Sequence, residues 1–129
     1  MNTGDKIKPL ILPWPDLKNL SPNSRIHWAQ KAKAKARARK EACLIAKSAG
    51  WHRVEWPEDR LAVWIDYYAP DRRHRDIDNL LASSKAMLDG VADAMGMDDR
   101  HFVPYPMLQD EIKKLGEVVV KITKLPPRP

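Results

Sequence analysis

Apolar residues recur along this chain at two periods, and the changes of period mark its elements. Residues 7–12 (IKPLIL) predict a short strand. Pro13-Trp14-Pro15 stops it, because proline has no N–H to donate to a ladder. Residues 16–27 carry turn chemistry at Asn19, Ser21-Pro22 and Asn23-Ser24 and predict a loop. Residues 28–49 (WAQKAKAKARARKEACLIAKSA) predict a helix ended by Gly50, since alanine, lysine and arginine are strong helix formers and glycine is a usual stop. Lysine and arginine alternate with alanine in its first half. Alanine is poor in strands, so helix is preferred. On a helix that alternation spreads charge over two opposite flanks, and the half with Cys43, Leu44 and Ile45 is the half expected to dock. Residues 51–59 read as a loop. Residues 60–68 (RLAVWIDYY) are β-branched and aromatic, a strand ended by Ala69-Pro70.

Further on, residues 71–78 (DRRHRDID) are charged and predict an extended segment. Residues 79–95 predict a second helix, with Leu80/Leu81, Met87/Leu88, Val91/Ala92 and Met95 at helical spacing and Gly96 as the stop. Met97 to His101 form a loop carrying Asp98-Asp99. Residues 102–112 and 117–124 read as two strands, with Lys113-Lys114-Leu115-Gly116 as the turn of a hairpin. The tail LPPRP is expected to fray. Trp14, Trp51, Trp56 and Trp64 are expected in the core or at a dimer contact, and Cys43 as a small buried hydrophobe.

Composition narrows the functional classes. A chain of 129 residues suits one domain, with no room for a large cofactor fold. A net charge of +6 suits a polyanionic partner such as nucleic acid. One cysteine cannot form an internal disulfide, and no Cys/His group has zinc spacing, so a reducing compartment is expected. The N-terminal residues lack the pattern of a signal peptide, and no apolar run approaches the ~20 residues that span a bilayer. A soluble, cytoplasmic protein with no membrane partner is expected.

The informative stretch is Asp71-Arg72-Arg73-His74-Arg75-Asp76-Ile77-Asp78-Asn79-Leu80. In an extended chain Asp76 and Asp78 point the same way, while Ile77 points opposite and anchors the segment. Two oxygen ligands from one short run suit a hard cation, and magnesium favours carboxylates with retained water and substrate phosphate. Asp98-Asp99, about one helix later, supplies further carboxylates if the helix folds back. Arg72, Arg73 and Arg75 would draw phosphates toward such a metal, a mixture that suits phosphodiester hydrolysis. The same residues also suit plainer roles: Asp78 as a helix N-cap, Asp76 as an arginine partner. Asn79 could orient an aspartate or simply cap. Asp89 and Asp93, four apart on one helix, read as structural.

The longer string PDRRHRDIDNLLASSKAMLDGVADAMGMDD resembles the signature of the RusA family of Holliday junction resolvases: an Arg-rich lead, Asp-x-Asp-Asn-Leu, a helix carrying a lysine, then a loop with an acidic pair. The segment LPWP, and the run from Ser21 to Trp28 before a basic helix, resemble phage-type members. The likeness spans most of residues 10–122 and is strongest over 70–99. It implies an α+β fold, here one domain with a small mixed β-sheet packed with two main helices. It also implies a homodimer that cleaves four-way junctions with Mg²⁺, or Mn²⁺ in its place. Asp76, Asp78 and Asp99 match the catalytic, metal-holding carboxylates. Lys85 resembles the catalytic lysine, although it lies seven residues after Asp78, where the family's lysine lies four after, a position held here by Ala82. Positions four and seven share a helix face. For branched DNA, the expected contacts are Arg72, Arg73, Arg75, Asn23, Arg25, Lys31, Lys33, Lys35 and Arg37.

Two other classes compete. One is a basic nucleic-acid-binding protein that never cuts, its aspartates only capping and pairing. The other is a metal-dependent phosphohydrolase of small substrates, which would not need so long a basic helix.

Overall fold

The structure, a computed structural model, describes residues 7–57 and 59–125. The expected fraying tail therefore lies, from residue 126 on, outside the described residues. Four strands, β1 (Leu10–Leu12), β2 (Leu61–Tyr68), β3 (Phe102–Leu108) and β4 (Glu117–Lys124), form one mixed sheet in the order β1-β4-β2-β3. β4 runs antiparallel to both β1 and β2, with Val120 opposite Leu10 and Ile65, while β3 runs parallel to β2. The two main helices, α2 (Trp28–Ser48) and α4 (Lys85–Met95), pack against each other and against one face of this sheet. The α+β fold expected from the sequence is the fold observed. No helix among the described residues is long and apolar enough to cross a membrane.

Alternation along the strands explains which face is covered. Leu61, Val63, Ile65 and Tyr67 of β2 and Val118, Val120 and Ile122 of β4 are buried. They meet Ala42 and Ala46 of α2 and Met87, Val91 and Met95 of α4 in one core. As expected, the second half of α2 docks, but through Ala42 and Ala46 with Cys43 and Ile45 at the margin, while Leu44 is exposed; Lys33, Lys35 and Arg37 in the first half are exposed. Cys43 is half-buried against the core. Trp51 is buried, Trp14 and Trp56 pack at the margin, and Trp64 lies on the uncovered face.

Four local expectations are corrected. First, the hairpin does not form, because β2 lies between β3 and β4. β3 ends at Leu108, and residues 109–116 cross the end of β2, with Gln109 N–H donating to the Tyr67 carbonyl and Lys113 N–H to the Ala69 carbonyl. The turn chemistry at Gly116 (φ +72°) is real, but it leads into β4 beneath Trp14. Second, residues 71–78 are not extended throughout: α3 (Ile77–Ser83) begins inside them. Third, the helix expected over 79–95 is broken between α3 and α4 at Ser84. The Ser84 hydroxyl donates back to the Leu80 carbonyl (2.8 Å) and accepts from the buried Tyr67 hydroxyl (2.9 Å). Serine bonding to the carbonyl four residues earlier bends helices. Fourth, the expected loops contain a one-turn helix, α1 (Leu17–Leu20), and a 3₁₀ turn at Trp51–Arg53. Such short turns fall below the span over which periodicity shows.

Helices α2 and α4 touch most closely at Gly90. A β-carbon there would overlap the Arg39 carbonyl oxygen and stand 3.1 Å from the Ala42 β-carbon. Gly90→Ala is therefore expected to destabilise the fold by about 1–3 kcal/mol through overpacking, despite gaining ~1 kcal/mol of helix propensity. Urea unfolding measures this, and an unchanged or raised midpoint contradicts it.

Burial pushes the Tyr67 hydroxyl up to about 12, against a smaller opposing effect of the Ser84 hydrogen bond. The folded state thus favours the neutral phenol. This contribution is complete below pH ~10, the ordinary tyrosine value, and is lost as pH rises toward 12. Tyr67→Phe should cost about 0.5–1.5 kcal/mol at pH 7, from the lost hydrogen bond. The gap from wild type should then narrow above pH 10. A gap that stays constant between pH 8 and pH 11 in urea unfolding would show that Tyr67 does not carry this dependence.

Candidate active site

The start of α3 is built by Asp76. Its backbone is extended (φ −90°, ψ 120°), and one carboxylate oxygen accepts from Asp78 N–H at 3.0 Å. Asp76 rather than Asp78 is thus the N-cap, and Asp78 sits in the first helical turn. The two carboxylates do not project side by side from an extended chain, and Ile77 is the first helical residue rather than an extended anchor. The second carboxylate oxygen of Asp76 accepts no hydrogen bond within the described residues.

The break at Ser84 sets α4 so that Asp78, Ala82 and Lys85 line one pocket of about 470 Å³ with Asp99. Leu81, Leu88 and Phe102 supply its apolar walls. Positions four and seven after Asp78 therefore share a face, as the helical spacing predicts. Asp98 N-caps a 3₁₀ turn, Asp99–His101, that presents Asp99 toward α4. Lys85 donates to Asp89, one turn along α4, at 2.6 Å, and also to Asp99. Partial burial lowers the Lys85 pKa, but the hydrogen bonds it donates to Asp89 and Asp99 outweigh it, and the net direction is upward. Asp99 is lowered to about 2, first by the Lys85 hydrogen bond and next by Asp89. Lys85 is thus a cation shared by two carboxylates at the pocket's edge.

Asp76 is not among the residues lining this pocket. Among the described residues no group of three or more His, Cys, Asp or Glu side chains is gathered closely enough to hold a metal ion. The expected trio Asp76, Asp78 and Asp99 therefore does not form one cluster. Asp78 and Asp99 remain as a pair of hard oxygen donors in one pocket, a set that suits magnesium, which is usually bound by one or two carboxylates together with water and phosphate.

The basic residues divide. Arg75 is turned inward, its side chain 9% exposed. It donates to the Asp71 and Arg73 carbonyls and to the Asp71 carboxylate, and stacks 5.4 Å above Trp14. It closes its loop and is not presented to a phosphate, which corrects the expected DNA contact. Arg73 pairs with the same Asp71 but stays exposed, as does Arg72. The two guanidinium groups hold the Asp71 carboxyl well below its usual range, Arg73 first. Asn23 and Arg25 lie exposed on a loop fastened to α3 by the Ser21 hydroxyl, which donates to Asn79 Oδ1 at 2.8 Å. Asn79 thus anchors a loop rather than orienting an aspartate or capping. On α2, Lys31 is half-buried and Lys33, Lys35 and Arg37 are exposed.

Sequence reasoning missed Arg39, Asp89 and Asp93 as neighbours of the site. Arg39 makes a two-pronged pair with Asp93 (2.6 and 2.8 Å), joining α2 to α4, and lines an acidic pocket with Lys85, Asp89 and Asp99. The signal was present: Lys85, Asp89 and Asp93 recur every four residues, which puts them on one helix face.

No family model matches the chain. It is 47% identical over 119 residues to a protein of Xylella fastidiosa (strain Temecula1 / ATCC 700964) described as an uncharacterized protein. The match covers 92% of this chain and 77% of that protein.

Proposed function

We propose that this chain, which belongs to the same family as the Xylella fastidiosa protein, is a magnesium-dependent endonuclease of the RusA type that cuts branched DNA as a homodimer. One observation carries the reading: Asp78, Lys85 and Asp99 line a single pocket. The helix that brings Arg39 to Lys85, Asp89 and Asp99 in the adjoining acidic pocket also carries exposed Lys33, Lys35 and Arg37, which suit a phosphate backbone. A cytoplasmic location goes with such a substrate.

Asp78 and Asp99 would hold the ion, and Asp76 caps the helix that carries Asp78. When bound, magnesium supplies positive charge at the scissile phosphate and promotes attack by water. The chain's own residues do the rest. Lys85 places an ammonium where negative charge grows on the phosphate, and a fixed cation there favours the transition state over the ground state. Asp89 keeps that ammonium at the pocket's edge. Lys33, Lys35 and Arg37 hold the DNA backbone along α2, with Arg72 and Arg73 beyond the start of α3. A four-way junction has two equivalent strands to cut, so two sites related by a dyad suit it.

The non-catalytic reading, a nucleic-acid-binding protein, draws on Asp76 acting as a cap and on Lys85 already neutralising its two carboxylates. Cleavage separates the two. With a labelled four-way junction and Mg²⁺ at saturating protein, Asp78→Asn and Asp99→Asn should each lower the single-turnover rate by about 10²–10³-fold or more while junction affinity survives. Asp76→Asn is informative because asparagine caps as well as aspartate, so any loss of rate reports charge rather than folding. Absence of cutting by wild type with either Mg²⁺ or Mn²⁺, or near wild-type rates for both Asp78→Asn and Asp99→Asn, would favour the binding-protein reading.

A second prediction concerns α2. Replacing Lys33, Lys35 and Arg37 with glutamine should weaken DNA binding and lower the slope of log affinity against log salt by roughly one per lost phosphate contact. An unchanged slope would show that this run is only solvated.

A further inference from the structure

The helices cover one face of the sheet, and the described residues leave the other face open. The residues pointing outward from it are mostly apolar. Ile11 on β1, Val119 on β4 and Met107 on β3 fall in one cross-strand row with Asp66. Trp64 on β2, Tyr105 on β3 and Lys121 on β4 form the next. Ile11 is 60% exposed, Met107 59%, Tyr105 38% and Trp64 36%. The second face of a sheet in water is ordinarily polar, and an apolar patch of this extent marks an interaction site.

The face is already organised for burial. The Trp64 and Tyr105 rings stack at 4.5 Å. The indole N–H donates to Thr123 Oγ1 at 2.8 Å, so covering the tryptophan strands no donor. The sheet edges offer less. β3 carries Pro104 and Pro106, and proline blunts an edge strand, while β1 has three residues.

We propose that the open face seats a second copy of this chain, face to face. This rests on the homodimer in the reading above and names its surface. Glu117 at the end of the face is neutralised by Lys113 (2.7 Å), and the remaining charges argue for a self-complementary pairing: Asp66, which accepts from Gln109 Nε2 at 2.7 Å through one oxygen, and Lys121, two residues apart in register, so that in a twofold pair each Lys121 meets the partner's Asp66. Strand spacings give the face roughly 400 Å² in plan. Two copies bury about twice that, and more with side-chain relief, near the lower edge of specific interfaces at ~1,000–1,200 Å². A dissociation constant in the micromolar range is expected.

Sedimentation equilibrium of the full chain, without DNA or metal, from about 1 to 100 µM in ~0.15 M salt, tests this. Wild type should shift from 14.8 kDa toward twice that mass. Ile11→Lys and Met107→Lys should each weaken association at least tenfold, as should Lys121→Glu. All three sites lie on the outer face, so urea midpoints should stay close to wild type. A wild type that is monomeric at 100 µM overturns the proposal. So does a dimer that all three substitutions leave unchanged. Because mass is read without substrate, a dimer that never cuts would sink only the nuclease reading, and a monomer that cuts would sink this surface and the homodimer but leave the nuclease chemistry standing.

Discussion

Much of this structure follows from how closely α2 and α4 approach each other. Gly90 presents no side chain to the Arg39 carbonyl, and Ala42 faces it with a methyl group. With such small residues at the crossing, the helices bury Ala42 and Ala46 on one side and Val91 and Met95 on the other, over a shared sheet face. The crossing also fixes electrostatics. It brings Arg39 to Asp93 and sets a cationic helix beside a helix that carries Lys85 and Asp89. The first half of α2, with few apolar groups to bury, faces the segment 13–20 and exposes its charges, and Arg39 at its end lines the acidic pocket. A larger residue at position 90 would loosen both the core and that juxtaposition.

The second determinant is the bend at Ser84. There the Ser84 hydroxyl accepts from the buried Tyr67 hydroxyl and donates to the Leu80 carbonyl, tying the bend to β2. The neighbouring Ser83 hydroxyl is buried with no partner among the described residues, a cost of order 1–3 kcal/mol that the bend carries with it. The pocket lined by Asp78, Lys85 and Asp99 thus sits where the chain tolerates local strain beside a buried, hydrogen-bonded core.

How much of this was legible depended on range. The two long helices and β2 carry their own periodicity, and the half of α2 that docks was readable from where alanine and lysine give way to Cys43 and Ile45, although the buried contacts are Ala42 and Ala46 and Leu44 faces outward. The strand pairing was not. β3 and β4 are neighbours in sequence, and the turn at Gly116 looks like a hairpin turn. Nothing local records that β2, some forty residues earlier, lies between them. Asp76 and Asp78 were ambiguous for another reason. An acid, an apolar residue and a second acid fit both an extended metal-binding run and a capped helix start, and only the backbone at Asp76 decides. Arg75 was misjudged because burial against Trp14 is a tertiary fact, invisible in a run of arginines. The fold class was legible, and so was the association of Asp78, Lys85 and Asp99, whereas the joining of Asp76 to them was not observed.

β3 ties the two faces of the molecule together. Its inward residues Phe102 and Pro104 line the pocket that holds Asp78, Lys85 and Asp99. Its outward residues Tyr105 and Met107 belong to the open sheet face. β3 is also an edge strand, paired among the described residues with β2 alone. Any body that packs on the outer face presses on the back of the wall of the candidate site. A sheet is thin, one residue deep between its faces, so burial of Tyr105 and Met107 would restrict the same backbone that positions Phe102 and Pro104. The outer face and the pocket wall are therefore made from alternate residues of one strand, so a substitution that shifts the β3 backbone is felt on both sides.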